Sequence, residues 1–127
     1  MLEESRKLVS LRDWVGTVSS CQLAVENFAE AIIAVFEVPT WSHDPSDQLS
    51  NLIDRLPKIS FKEIRELIAM VTELAPEHGR STYGEPSAGL LPSDIYKEEH
   101  ASSALEKAKR AREIAETILS QLNVSFK

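Results

Sequence analysis

The densest group of chemically capable side chains is the segment His78, Gly79, Arg80, Ser81, Thr82, Tyr83, Gly84. It brings a guanidinium, two hydroxyls, a phenol and an imidazole together between glycines. Such a set can hold a phosphate through charge-assisted hydrogen bonds and stack against a base. The same residues also have a structural use, with Tyr83 packed on the protein body and Arg80 paired with a helical carboxylate. For metal binding the candidates are His43 with Asp44, His78 and His100. None forms a ligand pair on a helix face or a Cys/His spacing. Phosphate-loop and dinucleotide fingerprints are absent, as are Gly-x-Ser-x-Gly and any coupled Ser/His/Asp arrangement. No metal and no cofactor is expected.

The elements that must position this segment are helical. From Trp14 to Phe36, apolar residues at Trp14, Val18, Cys21, Val25, Phe28, Ile32 and Val35 alternate steps of four and three, one face of a long helix. Leu23, Ala24, Ala31 and Ile33 widen that face, so the helix needs neighbours on more than one side. Asp13 is placed to cap its first turn, and Pro39 biases Val38 out of the helical region. Before it, Leu2 to about Ser10 forms two or three turns. After it, Asp44 and Pro45 read as cap and first residue of a short helix through Leu49, Leu52, Ile53 and Leu56, stopped by Pro57.

Ser60 and Glu63 have the spacing of a capping box, with Ile59 and Ile64 at staple positions, opening a helix through Leu74. Pro76 to Tyr96 shows no sustained period and reads as a long loop. The last helix runs from Glu98 to about Leu122. Its alanine stripe (Ala101, Ala104, Ala108, Ala111, Ala115) suits close approach to the long helix, expected as an antiparallel neighbour. The basic run Lys107, Lys109, Arg110 and Arg112 reads as a solvated face, paired Glu106 to Arg110 and Arg112 to Glu116.

The chain has 127 residues, the size of one domain able to bury a core without staples. Its formal charge of −6 opposes non-specific attraction to nucleic acid or an anionic membrane. The single Cys21 falls on the long apolar face and reads as a core filler. No run of about 18 apolar residues spans a membrane, and the first ten residues lack the apolar core of a signal peptide. A reducing, cytoplasmic setting is expected.

Three local stretches, in this order, resemble the small prokaryotic HEPN domains: LAVENFAEAIIAVFEVPTWSHDP, then HGRSTYGE, then IYKEEHASSALEKAKRAREIAETIL. The resemblance covers nearly the whole chain. It implies an all-α, up-and-down bundle of four to five helices that commonly forms a homodimer. Some members are metal-independent ribonucleases, often toxins, that use an Arg followed by four to six residues and a His. No such pair occurs here. Others pair with a minimal nucleotidyltransferase, and this chain resembles that group more closely. The resemblance therefore implies a non-catalytic partner, or a substrate- or nucleotide-binding subunit, in a toxin–antitoxin or defence setting. Arg80, Ser81, Thr82 and Tyr83 would contact phosphate and base, with His78, Trp41, His43 and Tyr96 contributing. Two alternatives stay open: a ribonuclease using His78 as general base beside Arg80, and a dimeric adaptor with no ligand.

Overall fold

The computed structural model describes residues 2–40 and 44–122, and among them the regular structure is helical. Helix α1 (Leu2–Ser10) turns back at Arg12, whose φ is 59°, into the long α2 (Trp14–Phe36). Asp13 caps α2 by accepting from the Gly16 amide at 2.8 Å. Gly16 serves this cap, because a Cβ there would lie 2.5 Å from the Asp13 carboxylate. The amide of Ser46, opening α3 (Ser46–Ser50), donates to Asp44 at 3.1 Å, and a 3-10 turn at Ile53–Arg55 replaces the expected continuation to Leu56. Helix α4 (Phe61–Leu74) and the final α7 (Glu98–Gln121) complete the bundle.

The core is one cluster. Ile32 and Ile33 of α2, Ile64 and Leu67 of α4, and Ile114 and Ile118 of α7 are fully buried together with Cys21. Each buried side chain of this size stabilises the fold by about 1.5–3 kcal/mol. The alanines of α7 are buried, and α7 packs along α2 more extensively than any other two helices pack. By length and hydropathy α2 matches a membrane-crossing helix, but 56% of that window is buried inside the fold.

The two long helices are neighbours, and they run parallel rather than antiparallel. Val18 near the start of α2 shares a cleft with Ala104 near the start of α7. At the other end the Arg55 guanidinium lies 4.8 Å from the Phe36 ring centroid, and the Ser60 hydroxyl donates to Gln121 in the last turn of α7. Between them in sequence comes α4, antiparallel to both, with Glu73 bonded to Lys107 and Glu66 to Arg110. One intervening long helix returns the chain to its original direction.

Three further expectations are corrected. Ser60 holds the N-cap position of α4 but makes no side-chain capping bond: it ends a 3-10 turn (Lys58–Ser60) in helical conformation, its hydroxyl donates to Gln121, and Ile59 is 75% exposed instead of stapled. Arg110 does not pair with Glu106; its Nε and Nη2 grip Glu66 across the helices at 2.8 and 2.9 Å. Finally, the segment after Pro76 is not a loop throughout. It holds α5 (Glu77–Tyr83), a 3-10 turn at Pro86–Ala88 and α6 (Pro92–Ile95). Proline in a first turn sacrifices no helical hydrogen bond, so Pro76 opens α5 as well as following α4. Gly84, with φ of 71°, ends it.

Candidate functional site

The start of α2, the end of α4, α5 and the first turns of α7 meet around a cleft of about 410 Å³. Arg80 is its central group. Because α5 is helical, Glu77 lies one turn before Arg80 on the same face, and its Oε1 accepts from Arg80 Nη1 at 2.8 Å. Arg80 Nε donates to Glu85 at 2.8 Å. The second oxygen of Glu77 accepts the phenolic hydrogen of Tyr96, a residue only 3% exposed. The Arg80 guanidinium also lies 6.0 Å from the Tyr96 ring centroid, within cation–π range.

Two protonation states follow from this arrangement. Burial, then the hydrogen bond to Glu77, pushes the Tyr96 phenol well above its ordinary pKa. Partial burial works to lower the pKa of Arg80, but the charge of Glu77 and the bond to Glu85 outweigh it, leaving the guanidinium above its usual value. The site is thus a fixed cation on a neutral phenol. Among the described residues Nη2 of Arg80 has no hydrogen bond, and this nitrogen stays available to a ligand.

On the α7 side, His100 meets the Tyr96 ring edge to face at 6.1 Å. Its Nδ1 accepts the Lys97 amide at 3.0 Å, so in this tautomer the proton is on Nε2. Lys107 reaches the cleft while bonded to Glu73 at 2.6 Å, and Glu99 and Ser103 complete the polar lining.

Of the residues singled out in the sequence, the cleft joins Arg80 and Tyr96. Ser81 and Thr82 do not line it, because their hydroxyls bond back to the His78 carbonyl at 3.4 and 2.9 Å. This is a common fate of such hydroxyls within helices. Tyr83 is 74% exposed, neither in the cleft nor packed on the bundle. His78 supplies that carbonyl and is not among the lining residues. Trp41 and His43 lie outside the described residues. The structural use foreseen for Arg80, pairing with a helical carboxylate, is realised through Glu77.

The sequence reading missed Glu77, His100 and Lys107 as cleft residues. Glu77 was hidden by reading α5 as a loop, which removes the spacing of three from Arg80. His100 carries a signal, one turn into a helix behind Tyr96, that its reading as a metal ligand does not use. Among the described residues no three His, Cys, Asp or Glu side chains are grouped to hold a metal ion.

The HEPN domain profile matches residues 1–119. This chain belongs to the HEPN family. The helical bundle around α2 and α7 is that family's all-α fold. No curated protein and no solved structure matches the chain. The cleft at the α7 N-terminus of this HEPN domain therefore rests on its own geometry.

Proposed function

We propose that this HEPN domain is the non-catalytic, nucleotide-binding partner of a minimal nucleotidyltransferase, acting as a homodimer in a toxin–antitoxin or defence system. The observation that carries the reading is Arg80, held by Glu77 and Glu85 with Nη2 directed to no partner among the described residues, in a cleft shared with His100, Lys107 and the Tyr96 ring. A phosphate binds the cationic donors, and the carboxylates and rings accept the sugar and base. The absence of an Arg and His separated by four to six residues supports a subunit without the family's ribonuclease motif.

Thermal unfolding against a nucleotide panel and a short RNA, with and without Mg²⁺, tests the reading. A nucleotide at about a hundred times its Kd stabilises the fold by roughly 2.7 kcal/mol. That shift disappears in Arg80→Ala. A panel with no shift, or a shift retained in Arg80→Ala, removes the assignment.

One observation favours a second reading, a ribonuclease. Arg80 and His100, twenty residues apart in sequence, both lie about 6 Å from the Tyr96 ring centre. His100 then replaces His78 as the acid–base group, with Arg80 stabilising the charge on phosphorus. RNA cleavage that survives His100→Ala rules it out.

A further inference from the structure

The charges around the cleft are not those of a polyphosphate site. Glu73, Glu77 and Glu99 face Arg80 and Lys107, an excess of one negative charge with His100 neutral in its Nε2–H tautomer. Both cations are already engaged: Arg80 with Glu77 and Glu85, Lys107 with Glu73. Among the described residues, the lining side-chain donors still open to a ligand are Nη2 of Arg80, Nε2–H of His100, the Ser103 hydroxyl and the remaining hydrogens of Lys107. They suffice for the terminal oxygens of one phosphoryl group.

The helix terminus beside the cleft carries acidic side chains in its first turn. A helix N-terminus commonly receives phosphates through free amides and the positive end of its dipole. In α7 the Lys97 amide is taken by His100 Nδ1, and Glu98 and Glu99 occupy the first turn. Each further phosphate of a chain would meet the carboxylates of that first turn.

We infer that the cleft takes a single phosphate monoester, a nucleoside monophosphate in preference to the corresponding di- or triphosphate. This rests on the nucleotide-binding reading above and narrows its ligand class. Glu73 and Glu99 are the specificity residues, since they set the charge that an extended phosphate chain would encounter. Glu73 is 60% exposed at its side chain and Glu99 is exposed, so neither substitution disturbs the core.

Calorimetric titration of the full chain with the four ribonucleoside monophosphates and their triphosphates, at matched ionic strength and without Mg²⁺, tests the inference. The expected result is a preference of roughly two- to fourfold for the monophosphate of whichever base binds, the scale of two added charges about 10 Å from the Glu99 carboxylate in a high dielectric. Glu99→Gln and Glu73→Gln each narrow that gap. A triphosphate binding as tightly as the monophosphate, or a gap unchanged in both variants, overturns the monophosphate assignment and leaves nucleotide binding standing. No binding by any nucleotide overturns both.

Discussion

Tyr96 donates its phenolic hydrogen to one oxygen of Glu77, and the other oxygen of that carboxylate holds Arg80. The phenol thus fixes a guanidinium it never bonds directly. Tyr96→Phe is expected to cost about 1–3 kcal/mol in chemical denaturation, the range for a partly buried charged acceptor left without its donor. It also has a pH signature. The folded phenol titrates above the unfolded one, so its contribution is complete below the unfolded value and is lost as pH rises beyond it. Wild-type stability therefore falls above pH ~10 more steeply than that of Tyr96→Phe. Parallel slopes in the two proteins would contradict the bond.

Asp13 and Gly16 form a coupled pair at the start of α2. Asp13→Ala removes the cap and costs about 1 kcal/mol. Gly16→Ala alone stays close to neutral, because the gain in helix propensity is offset when the new Cβ displaces the capping carboxylate. In the Asp13→Ala background the clash is gone, and Gly16→Ala stabilises by about 0.8–1 kcal/mol. A double-mutant cycle by urea unfolding reads the coupling directly, and additive effects would refute it.

Gly84 has φ of 71° and ψ of −145°, and a Cβ there would lie 2.2 Å from the Leu90 carbonyl oxygen. That oxygen accepts from Glu85 in the bridge that closes the turn. Gly84→Ala is expected to destabilise by roughly 1–3 kcal/mol or more through forced backbone strain. Because Glu85 carries Arg80, hydrogen exchange at the Glu85 and Leu90 amides accelerates with it. Unchanged protection would show the turn to be looser than its contacts imply.

The Arg110 grip on Glu66 is bidentate, yet both side chains are about 40% exposed. Solvent screening holds its worth within about 1 kcal/mol. The hydrogen bond from Arg110 depresses the Glu66 carboxyl pKa, so the contribution is present above the unfolded carboxylate value and is lost as pH falls through the folded one. Arg110→Gln should lose little at neutral pH and flatten the acid limb of the stability curve. A loss of several kcal/mol at pH 7 would mean that the pair bears on the core.

The sequence carried the long elements because their signals are local. The three-and-four spacing of α2 and the Asp13 cap were read at their observed positions, and α4 and α7 began where their patterns began. Direction was not local. Whether α7 runs with or against α2 depends on the number of intervening long helices, and a stripe of alanines suits either orientation. The Ser60 hydroxyl leaves its capping bond unmade for a related reason: its partner, Gln121, is far away in the chain. At the site, Arg80 was found through its chemistry and Tyr96 through family resemblance. Ser81, Thr82 and Tyr83 were grouped with Arg80 by adjacency, but a helix disperses adjacent residues around its axis, whereas Glu77 at a spacing of three shares its face.

The parallel packing of α2 and α7 has a consequence for the order in which the protein is made. The apolar stripe on α2 leaves the ribosome before its principal cover, the 24-residue α7, which is synthesised only after α4, α5 and α6. Until then the nascent chain can form α1, α2 and α4 but cannot close its core, and α2 presents the surface of an unpaired hydrophobic helix. A transcript cut short before Glu98 would yield a sticky fragment and a target for chaperones or proteases, not a smaller working bundle.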